Sequence, residues 1–270
     1  MLQRCFEALR PARPMVHCIT NSVTINDCAN VLLAAGARPI MADAPEESAE
    51  ITAACQALVL NLGMLSPRKL EAMVKSGHQA NRMGIPVVLD PVGAGASALR
   101  TRAVHTLLEE VRFAAVRGNG SEIRVLAAGG ENHGGVDAAP GECAPEQERA
   151  MAEALARRIH AVVAVTGETD LVTDGTRTAR CLGGCAEMGL VTGTGCMLSA
   201  LTGALLAASP EQPFAAVCTA VCAMKTAGEL ARAALAPDEG SGSYRVRLID
   251  AVNRLDGPTL AAQPIDGIDQ

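Results

Sequence analysis

Short, almost continuously apolar runs alternate along this chain with longer stretches of helical character. The four clearest runs are Ala57–Asn61, Ile85–Asp90, Arg112–Val116 and Val162–Thr166. Because apolar residues follow one another instead of alternating with polar ones, these runs are typical of parallel strands covered on both faces. Strand and helix in alternation predict βαβ units, whose right-handed crossovers place helices on both faces of the sheet. The expected fold class is α/β with a mostly parallel central sheet.

Helical segments are predicted between and after these strands. They are Ile25–Ala35, Ser66–Gly84, Ala98–Val111, Cys196–Ala208, Phe214–Leu235 and Val246–Leu255. Two further short strands, Asp170–Thr173 and Thr178–Leu182, are predicted to form a hairpin around Asp174-Gly175. The Gly-, Asp- and Pro-rich segment Gly129–Gln147 predicts a long loop that ends in a helix start. Gly240–Ser243 predicts another loop.

Composition limits what such a fold can bind. Apolar residues make up 49% of the chain, but with three Phe, one Tyr and no Trp the core must be built from Ala, Val, Leu and Ile. The formal net charge is −6, and there is no Lys/Arg cluster, so the sequence argues against a nucleic-acid-binding face. At 270 residues, with neither a repeat nor a linker, one domain over 1–270 is expected.

The N-terminus and the ten cysteines bear on the cellular location. Residues 1–18 lack the apolar stretch of a signal peptide, and no CxxC pair occurs. Core filling in a reducing compartment is the expected role of the cysteines, including the pairs Cys181/Cys185 and Cys218/Cys222. No apolar run reaches the roughly 18–20 residues that span a bilayer. A cytoplasmic protein without a membrane segment is expected.

Polar and glycine-rich turns follow the predicted strands at their carboxyl ends, where ligands collect in open parallel sheets. The first turn begins at Asp90, which ends an apolar run and precedes Pro91–Gly95. A carboxylate in that position is a candidate Mg²⁺ ligand, directly or through water. The alternative is a strand-ending turn in which Asp90 caps a helix.

The second turn reads Arg-Gly-Asn-Gly-Ser-Glu and begins at Arg117. The Arg117 guanidinium is a candidate for bidentate contact with phosphate, and Glu122 is a candidate partner of Asp90 on the metal. The alternative is helix capping, with Asn119 or Ser121 as the cap and Glu122 favoured by the helix dipole. Both interpretations can hold together.

The third turn, Thr166-Gly167-Glu168, follows the strand Val162–Val165. The hydroxyl of Thr166 is a candidate phosphate contact, and Glu168 a candidate for acting through a metal-bound water. The alternative is an ordinary turn.

The fourth element, Thr192-Gly193-Thr194-Gly195-Cys196, precedes a predicted helix. Its glycines leave unpaired N–H groups at the helix start, and these groups with the positive end of the dipole form an anion site. Such a site suits a phosphoryl group in transfer, whose charge lies on its equatorial oxygens. The sequence contains neither a Walker A loop nor a Rossmann glycine motif after the first strand.

Cys196 lies at the start of that helix, where the pKa of a thiol is expected to fall. Three roles follow from this position. Cys196 could accept the proton of an acceptor alcohol, could only pack or position it, or could be a covalent nucleophile. The third role needs a histidine partner, and none of the five histidines stands in a recognisable relation to Cys196 in the sequence.

Taken in order, these motifs resemble the hydroxyethylthiazole kinases of the ribokinase-like superfamily, over nearly the whole chain. The segments that carry the resemblance are His17–Thr24, Asn26, Asn30, Ala35–Ala42, Glu46-Glu47, Leu60–Gly63, Val88–Gly93, Arg117–Asn119, Ser121–Ile123, Val165–Glu168 and Val191–Cys196. Residues 19–42 are specific to the thiazole kinases, whereas the Gly-Thr-Gly element before a helix belongs to the wider superfamily. Cys196 stands where most ribokinase-like enzymes carry an Asp base, and thiazole kinases have Cys there.

The resemblance implies a three-layer ribokinase-like fold and the transfer of the ATP γ-phosphate to 4-methyl-5-(2-hydroxyethyl)thiazole in thiamine biosynthesis or salvage, with Mg²⁺. It also implies a homotrimer with sites near subunit contacts. The implied roles are thiazole contact for Met41, Gly193, Asn21 and Asn26; ATP contact for Arg117, Thr166 and Asn119; Mg²⁺ and phosphate for Asp90 and Glu122; and catalysis for Gly193, Gly195 and Cys196.

The sequence departs from the family pattern at two places. Gly120 stands where Ala is common, and Gly183–Gly189 is unlike the usual segment before the Gly-Thr-Gly-Cys motif. Three other functions stay open at this point. They are a ribokinase-like kinase for another small alcohol such as hydroxymethylpyrimidine, a Cys196-dependent hydrolase or acyltransferase, and a nucleotide-binding regulator without catalysis.

Overall fold

The structure is a computed structural model that describes residues 1–128 and 144–267. The strands of this part of the chain are β1 (Met15–Ile19), β2 (Arg38–Ile40), β3 (Ala57–Asn61), β4 (Val87–Asp90), β5 (Ala115–Asn119), β6 (Val162–Thr166), β7 (Asp170–Thr173), β8 (Thr178–Cys181) and β9 (Ile265–Asp266). The α-helices are α1 (Leu2–Ala12), α2 (Ile25–Ala35), α3 (Ser48–Ala53), α4 (Pro67–Met83), α5 (Ala98–Glu110), α6 (Gly120–Ala127), α7 (Pro145–Ile159), α8 (Thr194–Ala208), α9 (Pro213–Ala233), α10 (Ser241–Arg254) and α11 (Gly257–Ala261). A 3₁₀ turn covers Ala186–Leu190.

All these strands form one sheet in the order β2-β1-β3-β4-β5-β6-β7-β8-β9. The first six are parallel and the last three antiparallel. The mostly parallel α/β prediction is therefore confirmed. That residues 1–270 form one domain stays a proposal.

Alternate residues of the parallel strands face two separate apolar layers. On β3, Val59 packs in the layer built around α8 and α9, and Leu58 and Leu60 pack in the layer with α4, α5 and α7. The small side chains predicted for the core allow close packing, since a Cβ on Gly203 of α8 would lie 2.7 Å from Cγ2 of Val59. The result is the expected arrangement of three layers.

Most predicted elements are confirmed to within a few residues, and two predictions are wrong. The strand predicted over Arg112–Val116 lies at Ala115–Asn119, because the pairing with β6 continues past the apolar run as far as Asn119 and Thr166. The loop predicted at Gly240–Ser243 is mostly the first turn of α10, in which Tyr244 N donates to Gly240 O at 3.0 Å. The loop prediction for Gly129–Gln147 falls largely outside the described residues, but its helix start is confirmed by α7 at Pro145.

The described cysteines are nine free thiols, seven of them buried, in keeping with core filling. Helix α9 is, among the described residues, long and apolar enough by length and composition to cross a membrane. However, 89% of that window is buried inside the fold, as in the core helix of many globular proteins, so the helix is weak evidence for a span.

Candidate active site

The carboxyl ends of the central strands and the start of α8 meet at one edge of the sheet. The parallel register aligns Asn61 at the end of β3 with Asp90 at the end of β4, and Asn119 at the end of β5 with Thr166 at the end of β6. Polar residues that close four successive apolar strands therefore lie in the same region, as ligand sites do in open parallel sheets.

Asp90 is fully buried at the centre of this region. Its Oδ2 accepts hydrogen bonds from Asn61 Nδ2 at 2.7 Å and from Ser199 Oγ at 2.8 Å. Its Oδ1 has no hydrogen-bond partner and lies 3.5 Å from Arg117 Nη1. A buried carboxylate oxygen without a hydrogen bond is costly unless it meets a cation, and here the guanidinium provides one.

Helix α8 begins at Thr194, with Gly193 as its N-cap and no side-chain capping hydrogen bond. Gly193 has φ +95°, and a Cβ there would lie 2.5 Å from Thr24 Cγ2, so this cap favours glycine in both conformation and space. The first amides of α8 have no acceptor within the helix, and no side chain caps them. This helix start has the chemistry of an anion site.

Arg117 lies against this helix start. A Cβ on Gly195 would be 2.5 Å from Arg117 Nη1, so glycine at this position lets the guanidinium approach the helix backbone. Arg117 Nη2 donates to Thr166 Oγ1 at 2.7 Å, and its Nε is buried without a partner. Arg117, Thr166 and Gly195, which were all predicted to lie near the phosphates, are therefore close together and next to Asp90.

Cys196, in the first turn of α8, receives two amide donors. Asn61 Nδ2 lies 3.3 Å and Asn21 Nδ2 3.5 Å from its Sγ. The prediction of a lowered thiol pKa is wrong. Burial and the nearby charge of Asp90 raise the pKa of Cys196, and the hydrogen bonds from Thr24, Asn21 and Asn61 offset this only in part.

The surroundings of Cys196 bear on a covalent role. In the part of the chain that the structure describes, its hydrogen bonds join it to Asn21, Asn61 and Thr24, and none joins it to a histidine. His17, on the neighbouring β1, is instead held by Thr52 Oγ1 and Ala42 O. A thiol with a raised pKa and no histidine base lacks the means by which covalent cysteine nucleophiles are activated, so these surroundings argue against the covalent role.

Glu122 and Asn119 form a capping box at the start of α6. Asn119 Oδ1 accepts from Glu122 N at 2.9 Å, and Glu122 Oε2 accepts from Asn119 N at 2.9 Å. Glu122 Oε1 also accepts from Gly93 N at 2.9 Å, in the turn that follows β4. The capping alternative is thus confirmed, and Glu122 joins the turn after Asp90 to α6.

Replacing Glu122 by alanine is expected to lower the free energy of unfolding by about 1–3 kcal/mol, because two backbone donors lose their acceptor. Urea unfolding measures this, with the exposed Glu50→Ala as the matched control. Glu122→Gln keeps one acceptor oxygen and should fall between wild type and Glu122→Ala. Unchanged stability of Glu122→Ala would contradict the capping role.

Three of the residues assigned to the substrate side lie in different settings. Asn26 is exposed, and its Oδ1 accepts from Asn30 Nδ2 at 2.9 Å on the same helix face. Met41 follows β2, is partly buried and packs against the larger apolar layer. Asn21, by contrast, is buried, and its amide reaches both Asn61 and Cys196. The roles of Asn26 and Met41 in substrate binding stay predictions.

A cavity of about 880 Å³ opens beside the helix start. It is large enough for a nucleoside triphosphate by comparison with typical ligand pockets of about 300–1,000 Å³. Its lining joins the phosphate-side residues to a glycine-rich segment and to α9. Residues that represent these walls are Arg117, Thr166, Glu168, Gly183, Thr194 and Lys225.

Three polar residues of this region had no role assigned from the sequence. Asn61 links Asp90 to Cys196, Ser199 supports Asp90 from one turn inside α8, and Lys225 is buried in the cavity wall. Asn61 could have been predicted as a site residue from the sequence, because it ends an apolar run as Asp90 does. Ser199 and Lys225 lie inside apolar helices. From the sequence alone, it cannot be told whether a polar side chain in such a helix faces the site.

The fold is that of the ribokinase-like kinases, and the helix start at the edge of its sheet has the chemistry of an anion site. The fold alone is shared with a pyridoxal kinase from Staphylococcus aureus, solved with AMP-PCP and pyridoxal, with a TM-score of 0.60 at 16% identity over 80% of this chain and 88% of that one.

More specifically, the chain belongs to the hydroxyethylthiazole kinase family, whose model matches residues 6–257. A hydroxyethylthiazole kinase from Ruminiclostridium cellulolyticum is 44% identical over 255 residues, which cover 94% of this chain and 93% of that protein. The solved structure of a hydroxyethylthiazole kinase protein from Pyrococcus horikoshii is 36% identical, with a TM-score of 0.88 over 99% of each chain. The resemblance seen in the sequence is thereby confirmed.

Proposed function

We propose that this protein transfers the γ-phosphate of ATP to the primary alcohol of 4-methyl-5-(2-hydroxyethyl)thiazole, giving the thiazole phosphate and ADP. The observation that carries the proposal is the meeting of three groups at one edge of the sheet. The uncapped start of α8 lies beside Arg117, and Arg117 Nη1 lies 3.5 Å from the buried Asp90. Family membership supplies the acceptor alcohol.

Phosphate binding falls to the residues around Arg117. Arg117 and Thr166 hold the triphosphate in the large cavity, and the backbone N–H groups of residues 194–196 stabilise the charge that develops on the transferred group. Asn119 closes β5 at the level of Thr166 and orders the turn behind them. Most of the rate enhancement then comes from positioning and electrostatics, as in other phosphoryl transfers.

The acceptor alcohol approaches from the side of Cys196, where Asn21 and Gly193 lie and where the family resemblance places Met41. The oxygen of the alcohol attacks the γ-phosphorus in line with the departing ADP oxygen. The alcohol proton passes to Cys196 in its thiolate form, which the amide donors of Asn21 and Asn61 favour. Asn26, on the exposed face of α2, is the remaining residue that we assign to binding of the alcohol substrate.

Mg²⁺ fits the oxygen set of this site. Asp90 Oδ1 is a hard ligand without a hydrogen bond, and Mg²⁺ commonly takes one or two carboxylates, with water and substrate phosphates completing its shell. No group of three or more His, Cys, Asp or Glu side chains suited to a metal occurs among the described residues, in keeping with that mode of binding. Bound Mg²⁺ would neutralise phosphate charge; Asp90 would hold it, with Glu122 in support.

Removal of Mg²⁺ is expected to stop turnover, because the triphosphate charge would then lack its counter-ion at Asp90. Titration with EDTA during an ADP-release assay, followed by Mg²⁺ in excess, measures loss and recovery. Full turnover in excess chelator would contradict the metal proposal.

We further propose a homotrimer and a cytoplasmic location. Two large apolar side chains near the site, Val23 and Met64, are 64% and 48% exposed in the single chain and suit a subunit contact there. Light scattering should give three times the chain mass of 27.7 kDa. A mass of one chain at micromolar concentration would contradict the trimer.

A coupled ADP-release assay tests the proposed reaction. ADP should form when ATP and the thiazole alcohol are both present, and hydroxymethylpyrimidine should be a much poorer acceptor. ADP release at the same rate without any alcohol, or preferential use of another alcohol, would overturn the assignment.

A further inference from the structure

The segment Gly183–Gly189 forms one wall of the large cavity. We call it the strap. Six of its seven residues line the cavity. Gly183 and Gly184 have φ of +87° and +88°, so the backbone turns through two successive left-handed residues that favour glycine. Its path depends on contacts with the neighbouring helix.

Three positions on one face of α9 hold the strap. Lys225 Nζ donates to Gly183 O at 2.9 Å, and Glu229 Oε1 accepts from Gly184 N at 2.7 Å. Cys185 Sγ lies 3.4 Å from Gly228 O. Because positions 225, 228 and 229 are three or four residues apart, a single helix face supports the strap backbone.

Lys225 also connects the strap to the turn that carries Thr166. Its ammonium donates to Glu168 O at 3.2 Å and lies 3.7 Å from Asp170 Oδ1, while Asp170 Oδ1 accepts from Gly167 N at 2.9 Å. Lys225 and Asp170 are both buried, with side chains 5% and 8% exposed. A buried charge pair of this kind is kept only with its hydrogen bonds complete, so it fixes the relative position of the two segments.

The position of the strap within the cavity indicates what it contacts. Thr194, Gly195 and Arg117 mark the phosphate end. The rest of the wall includes Ala186 and Met188 of the strap with Val221 and Met224 of α9, which form an apolar surface suited to a nucleobase.

We propose that Lys225 and Glu229 are positioning residues for the nucleotide: they hold the strap, and the strap forms the pocket for the base of a purine nucleoside triphosphate. This inference rests on the proposed function for the assignment of the cavity to ATP. Neither residue needs to touch the reacting atoms. Their effect is therefore expected on nucleotide binding and not on the alcohol.

Calorimetry with AMP-PCP and, separately, with the thiazole alcohol tests the inference on the full chain. Lys225→Met should raise the Kd for AMP-PCP about tenfold or more and leave the Kd for the alcohol within about twofold, since a buried charged donor to two carbonyls is lost. The exposed Lys75→Met is the matched control and should change neither value. Lys225→Met leaves the buried carboxylate of Asp170 without its cation. If that variant does not fold, the double variant Lys225→Met/Asp170→Asn, which also removes this carboxylate charge, is measured in its place.

Glu229 gives a second variant at a half-buried position. Glu229→Met should also weaken AMP-PCP selectively, whereas Glu229→Gln, which keeps an acceptor for Gly184 N, should restore most of the affinity. Unchanged AMP-PCP affinity in folded Lys225→Met and Glu229→Met, or an equal loss for both ligands, would overturn the inference.

The same experiment separates this inference from the proposed reaction. Wild-type protein that binds AMP-PCP but does not phosphorylate the thiazole alcohol would overturn the reaction and leave the strap result intact. Wild-type protein that does not bind AMP-PCP at all would overturn both.

Discussion

Replacing Cys196 by alanine is expected to lower kcat about 100-fold or more, within the range that general base catalysis contributes. Cys196→Asp should keep substantial activity, because a carboxylate at the same position can accept the proton of the alcohol. The amide groups of Asn21 and Asn61, now 3.5 and 3.3 Å from Sγ, would donate equally well to a carboxylate. Steady-state kinetics with saturating ATP measures both effects.

The pH dependence of kcat tests whether the thiolate form of Cys196 is the active form. Burial and Asp90 raise the pKa of Cys196, so at neutral pH only a minor fraction is thiolate. In wild type, kcat should therefore rise with pH over the alkaline range, as more thiolate forms. In Cys196→Asp the rise should largely disappear, because the carboxylate is already ionised at neutral pH.

A matched control removes a different buried thiol. Cys55→Ala, between α3 and β3, should keep kcat and its pH profile. Equal turnover in wild type, Cys196→Ala and Cys196→Asp would remove Cys196 from proton transfer. An alkaline rise that persists in Cys196→Asp would assign the titration to another group.

Asp90→Asn is expected to lower kcat/KM about 100- to 1,000-fold, a loss of the size found when one electrostatic partner of the transition state is removed. The negative charge that faces Arg117 at 3.5 Å would disappear, and with it the oxygen suited to Mg²⁺. The substituted amide keeps an oxygen that can accept from Asn61 and Ser199, but Arg117 loses its counter-charge, so some loss of stability is expected as well. Kinetics and thermal unfolding of the same preparation separate the two effects.

The control for Asp90 is Asp43→Asn. Asp43 is also ion-paired, to Lys69 at 3.3 Å, but its side chain is 60% exposed. Its loss should change kcat/KM less than about threefold, since exposed ion pairs contribute little. Near-normal activity of Asp90→Asn would show that neither metal nor Arg117 depends on the Asp90 charge.

The central sheet could be predicted from the sequence because buried parallel strands are continuous apolar runs. Ala57–Asn61 and Val162–Thr166 coincide with β3 and β6. Apolar runs do not predict the end of a strand that continues into polar residues, as β5 does at Arg117–Asn119. Strand β2 gave no clear run, since it has three residues including Pro39 and lies at the edge of the sheet.

The site was predictable to the extent that its residues close strands or open a helix. Asp90, Arg117, Thr166 and Gly195 come together because parallel strands end at one edge. The state of Cys196 was not predictable, because its pKa depends on burial and on the charge of Asp90, which is distant in sequence. The contacts between α9 and the strap were not predictable for the same reason, since Lys225 and Gly183 are far apart in the chain.

The most direct test of the proposed mechanism is a crystal structure of the protein with AMP-PCP, Mg²⁺ and the thiazole alcohol. We expect γ-phosphate oxygens within hydrogen-bonding distance of the N–H groups of residues 194–196, with the metal at Asp90 and the alcohol oxygen beside Cys196. A triphosphate bound elsewhere, with the start of α8 facing only solvent, would contradict the mechanism.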